Sequence, residues 1–153
     1  MAKKKFEYGF LNEYGPIIKV KLKSTKRNAN IDYYNNIKEK HIIVSALIDT
    51  GATHSIIDLS ILKEDIGLEE TKFTDRQLFV HGLKETLPVY KIGLDLLQNN
   101  NCIDVHVAAM DLSIFKIPEV SLKMLIGRDI LRECIFTYNG LDNIFTLNHK
   151  VNN

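Results

Sequence analysis

The 153-residue sequence has no tryptophan, three prolines and two cysteines, and no apolar run near the roughly 20 residues that a membrane-spanning helix needs. Cys102 and Cys134 lie far apart and match no zinc-ligand spacing, so two reduced thiols are expected rather than a disulfide scaffold or a zinc site. His41, His54, His81, His106 and His149 stand singly, with no His-x-x-x-His or His-x-His pair, and no metal or other cofactor is expected. Excess charge of one sign is also lacking. Twenty Lys and Arg against 19 Asp and Glu leave a net charge of +1, which calls for neither a nucleic acid nor an anionic membrane partner. The opening "MAKKK" could start a signal peptide, but "FEYGFLNEYGP" follows with Glu7 and Glu13 and no apolar core. The expectation is one cytoplasmic domain, long enough to build a core without staples.

What is present reads mostly as short strands. "GPIIKVKLKS" alternates Ile18, Val20 and Leu22 with lysines, the period of a half-buried strand. The polar "TKRNANIDYYNNIKEK" reads as a long exposed loop. "DLSILKEDIGLEE" predicts a short helix capped by Asp58, with Leu59, Leu62 and Ile66 on one face and Gly67 as its stop. "RQLFVHGLKETLPVYKIGLDL" predicts two strands around a tip at His81, Gly82, Leu83 and Lys84, and Pro88 places that arm at a sheet edge or free of the sheet. "CIDVHVAAM" and "KMLIG" add strands, "RDILRE" one or two helical turns, and "CIFTYNGLDNIFTL" a final hairpin turning at Asn139-Gly140. The sum is a mainly β domain with one or two short helices.

The informative stretch is "HIIVSALIDTGATHSIID". Its β-branched run predicts a strand buried on both faces, and a carboxylate just past such a strand is costly unless something satisfies it. Three readings compete for Asp49. It could cap a turn, since Asp and Gly are common turn residues. With Gly51 and Thr53 it also resembles the first phosphate loop of the actin and sugar-kinase ATPases, although those domains are at least twice this length and no second Gly-rich loop follows. Finally, it could belong to a carboxylate pair doing acid–base chemistry.

A second motif, "MLIGRDIL", follows about 75 residues later. Leu47, Ile48, Asp49, Thr50, Gly51 and Ala52, then Leu125, Ile126, Gly127, Arg128 and Asp129, resemble the paired signature of the retropepsins, the single-domain, retroviral-protease-like aspartic proteases. The resemblance implies a retropepsin-like acid protease fold over residues 15–148, with 1–14 as an N-terminal extension and 149–153 as a polar tail. Two carboxylates held about 3 Å apart share a proton, so one pair can both activate water and protonate the leaving amide. With a single Asp-Thr-Gly, such an enzyme must be a homodimer in which Asp49 meets its counterpart on a two-fold axis.

The resemblance assigns the remaining roles. Asp49, Thr50 and Gly51 are the catalytic loop, with the Thr50 hydroxyl directed to the partner's loop and Gly51 letting its N–H approach the carboxylate. Leu47, Ala52, Ile56 and Leu125 match pocket-lining positions, implying a peptide or protein substrate cut between apolar residues, although Ile56 and Leu125 equally suit plain core packing. Val80, His81, Gly82 and Leu83 match a flap that closes over substrate. Ala52 has no hydroxyl to favour the charged carboxylate, so a mildly acidic rate optimum is expected. Gly127, Arg128 and Asp129 are structural. The acidic residue that should pair with Arg128 is replaced by His54, so Arg128 is expected to bond backbone carbonyls or another acid such as Asp58. The alternative in a different class is a catalytically silent member of the same fold, a dimeric peptide-binding module.

Overall fold

A computed structural model describes residues 7–11, 13–24, 41–62, 72–80 and 82–149. Its strands are β1 (Glu7–Phe10), β2 (Ile17–Ser24), β3 (His41–Ile48), β4 (Ile56–Asp58), β5 (Lys72–Val80), β6 (Leu83–Asp95), β7 (Ile103–Met110), β8 (Leu122–Ile126), β9 (Cys134–Asn139) and β10 (Ile144–His149), with the helix α1 (Arg128–Leu131) after β8. The fold is mainly β, as its alternating and β-branched segments predict.

Neighbouring strands run in the order β2-β3-β8-β4-β7-β6, and the end of β6 pairs back onto β2 from Lys21↔Asp95 to Ser24↔Ile92, so six strands close into a ring. Closure removes the exposed edges that would otherwise invite pairing with another chain. Ile18, Val20 and Leu22 of β2 point into the larger core, joined there by Val44, Ala46, Ile92, Leu94, Met124 and Ile126. In β3 the consecutive residues Val44, Ser45 and Ala46 are all buried, which is the two-sided burial expected before Asp49. Ser45 is tolerated because Lys19 Nζ donates to its hydroxyl at 2.6 Å.

β6 is 13 residues long, and only its second half belongs to the ring. Its first half, including Pro88, pairs with β5 alone, so the missing N–H of the proline costs no second ladder. The β5–β6 arm therefore stands off the ring. Val80 pairs with Leu83 across a two-residue tip, where Gly82 has φ +77. His81 lies outside the described residues, as do residues 25–40, expected as a long loop, and the Ile66 and Gly67 end of the expected helix. Residues 59–62 of that helix are helical, and the Ser60 N–H donates to Asp58 Oδ1 at 2.9 Å in the manner of a cap.

The final hairpin differs from its sequence signal. Asn139 pairs with Ile144, leaving a four-residue loop rather than a two-residue Asn-Gly turn. The left-handed residue is Asn143, with φ 58, and the Asn139 side chain accepts the Asp142 N–H at 3.1 Å while its own amide donates to the Asp142 carboxylate at 2.8 Å. β10 also pairs with β1, so Glu7–Phe10, within the stretch read as an extension, joins a three-stranded sheet in the order β1-β10-β9. Among the described residues no helix is long and apolar enough to cross a membrane.

Candidate active site

The two motifs are neighbours because β3 and β8 run parallel, with Leu47 opposite Leu125 and Ile48 opposite Ile126. Where β3 ends, the Asp49 N–H still donates to the Ile126 carbonyl at 2.9 Å, and the chain then turns sharply. The Asp49 carboxylate is half-buried and accepts through Oδ1 from the N–H groups of Gly51 at 2.9 Å and Ala52 at 3.3 Å. A Cβ on Gly51 would lie 3.1 Å from that oxygen, so glycine keeps the approach open. Both of these bonds go to Oδ1, Oδ2 accepts none from the described residues, and the neighbouring Thr50 is exposed.

The second motif braces this turn from behind. The Arg128 N–H donates to the Ala52 carbonyl and the Gly127 N–H to the Ser55 hydroxyl, both at 2.9 Å. The Asp129 carboxylate accepts the Ser55 N–H and hydroxyl, and also the Ile130 N–H in the first turn of α1. The Arg128 side chain corrects the sequence expectation. Its guanidinium donates to the Thr53 hydroxyl at 3.1 Å and, among the described residues, to no carbonyl and not to Asp58. Asp58 instead accepts the Ser60 and Leu112 N–H groups and pairs with Lys123 at 3.3 Å.

A cleft of about 420 Å³ opens between the turn and the β5 arm, walled by Ala52, Thr53, His54 and Ile56 on one side and Gln77, Leu78 and Phe79 on the other. Ile56 serves two ends, since it also packs with Leu125, its cross-strand partner, in a second apolar cluster with Leu78, Leu87 and Val89. Leu125 is buried in that cluster and Leu47 packs against it, and neither lines this cleft. Val80 also packs against the cluster, while Gly82 and Leu83 are exposed at the arm's tip. Gln77, Leu78 and Phe79 are lining residues that the sequence reading missed. Phe79 is an aromatic 78% exposed on the outlying arm, an exposure that nothing in "RQLFVHG" signals.

Among the described residues no group of three His, Cys, Asp or Glu side chains could hold a metal. Neither cysteine lines the cleft or forms a disulfide. Burial, helped by the Glu133 charge, pushes the Cys134 thiol up to about 11, which makes it a poor nucleophile.

The retroviral aspartyl protease family model matches residues 12–138. A solved retropepsin-like aspartic protease from Rickettsia conorii is similar over 97% of each chain, with 19% sequence identity and a TM-score of 0.47. No curated protein matches the chain by sequence. The family match spans far more than half of the chain and takes in both motifs, the turn that holds Asp49 and the β5–β6 arm: the chain belongs to the retroviral aspartyl protease family.

Proposed function

We propose that the chain is one half of a homodimeric aspartic endopeptidase, with Asp49 from two copies forming the reacting pair. The supporting observation is the half-exposed Asp49 carboxylate, gripped through one oxygen by two backbone N–H groups while the other oxygen accepts nothing from the described residues. A carboxylate held this way, beside a cleft that Gly51 and Ala52 help to line, is oriented but not used up. Brought within about 3 Å of its counterpart, it would share one proton with it.

The ionised member then takes a proton from water as the water oxygen attacks the peptide carbonyl. The protonated member supplies the proton that the amide nitrogen takes up as the C–N bond breaks. Thr50 and Gly51 fix the loop, Ala52 and Ile56 receive apolar side chains beside the cut bond, and Leu47 and Leu125 support that wall. Val80, His81, Gly82 and Leu83 form the end of the arm that closes over the peptide. Gly127, Arg128 and Asp129 hold the first motif's turn in place. Two thiols outside any disulfide suit a cytoplasmic enzyme.

The Asp49→Asn variant tests this reading. It should lose all cleavage of a randomised peptide library while sedimenting as the same dimer. A tip with one glycine favours the second reading, a silent peptide-binding dimer. In that case the unaltered protein would bind peptides and cut none.

A further inference from the structure

A second hollow, of about 320 Å³, lies on the flank of the cleft and shares His54 with it. It is more polar than the cleft, because six of its eight lining residues are ionisable, His54, Arg76, Asp104, His106, Asp129 and Arg132, against His54 alone in the cleft. They come from separate elements, Arg76 from the β5 arm, Asp104 and His106 from β7, and Arg132 from the end of α1.

The two carboxylates in this hollow have partners. Asp129 accepts the Ser55 N–H and hydroxyl and the Ile130 N–H, and Asp104 forms a half-exposed pair with Lys91 at 3.1 Å. The guanidinium groups are less well paired. Among the described residues Arg76 has no carboxylate within ion-pair distance, and Arg132 meets only Glu133, at 3.7 Å with both side chains mostly in solvent. Such a pair is weak and readily exchanged for a better one.

We propose that this flank is a subsite for an acidic side chain of the bound peptide, one that lies beyond the residues in the apolar cleft and is received between Arg76 and Arg132. The inference rests on the reading of the cleft as a peptide site. An extended peptide leaving the cleft past His54 would run directly over the hollow. Guanidinium forks suit a carboxylate because they offer parallel N–H donors to its two oxygens. Since Arg76 belongs to the arm and Arg132 to the ring's own helix, a carboxylate between them would also tie the arm down onto the body. Substrate choice and closure would then depend on the same contact.

The test uses immobilised full-length Asp49→Asn protein and a randomised decapeptide library, with the captured peptides sequenced. Asp and Glu should be enriched about fivefold over Asn and Gln, the size of one exposed ion pair, at one fixed distance from the enriched apolar positions. Adding Arg76→Gln and Arg132→Gln should abolish that enrichment and leave the apolar enrichment intact, which also shows that the variant is folded. Acidic enrichment that is absent, or that survives both substitutions, would overturn the proposal. Because capture needs no turnover, an unaltered protein that cuts none of the library while the Asp49→Asn protein still selects the acidic position would refute the protease reading and keep the subsite.

Discussion

Ser55 and Asp129, 74 residues apart, clasp each other: the Ser55 N–H lies 3.0 Å from both carboxylate oxygens and its hydroxyl donates to one of them at 2.6 Å. Ser55 is fully buried, and its hydroxyl also accepts the Gly127 N–H at 2.9 Å. One side chain thus joins the loop after Asp49 to the start of α1. Ser55→Ala would leave a buried N–H and a carboxylate oxygen short of partners, at about 1–3 kcal/mol. Asp129→Asn would place a donor where Ser55 needs an acceptor, at similar cost. For a domain of this size the thermal midpoint should fall about 2–4 °C for each kcal/mol. Because the two residues share one interaction, the double variant should lose less than the sum of the singles. Thermal unfolding of all four proteins checks this, and strict additivity would contradict it.

Gly127 is required for space and not for its backbone angles. Its φ of −92 and ψ of −177 suit any residue. A Cβ there, however, would stand 2.7 Å from the His54 carbonyl carbon, 2.8 Å from its oxygen and 3.0 Å from the Ala52 oxygen, all of them backbone atoms that cannot rotate away. Gly127→Ala should therefore cost about 1–3 kcal/mol by overpacking and push the Asp49 turn out of place. Gly82→Ala is the informative control, since an added Cβ meets nothing within 4 Å and only the positive φ is strained. If denaturant unfolding shows the two variants equally stable, steric contact with the turn is not what selects glycine at 127.

Some of this was legible in the sequence and some was not. β3 was readable because a short, β-branched run has few alternatives to a two-sided strand, and β8 because its short apolar Met-Leu-Ile stretch stops at Gly127. Their parallel pairing was not, because register between strands so far apart is set by the whole ring and leaves no local pattern. Asp49 stood out through its setting, and the second motif chose among its readings. The Ser55–Asp129 clasp was hidden because a serine four residues past a turn looks like solvated loop until Asp129 is brought beside it. Arg128 misled for a related reason. A search for a carboxylate partner overlooks a neutral hydroxyl on Thr53, which the turn places within reach. At Asn139-Gly140 the turn signal was real but its register was wrong, since the Asn139 side chain mimics a backbone turn and moves the left-handed residue to Asn143.

Asp58, the last residue of β4, ties the fold to acid stability. Burial pushes its carboxyl up, but the Ser60 hydroxyl, the Leu112 and Ser60 N–H groups and the Lys123 ammonium together outweigh burial and hold it below its ordinary 3.8. A group depressed on folding contributes stability that is fully present above its unfolded value and is lost as the pH falls through its folded value. Asp58 should therefore support the fold undiminished at neutral pH and progressively less in acid below 3.8. Asp58→Asn should lower unfolding stability by about 1–3 kcal/mol near neutrality, since the Leu112 N–H and the Lys123 ammonium lose a charged acceptor. The gap between the two proteins should close in strong acid, where the native carboxyl is protonated as well. Lys123→Gln should cost less at neutrality, because its ammonium sits at 3.3 Å and ranks behind the hydrogen bonds in holding the charge. Urea unfolding of all three proteins from neutral pH down into acid measures this. A gap between Asp58→Asn and the unaltered protein that stays constant down to the acid limit would mean that the carboxylate's charge is not what Asp58 contributes.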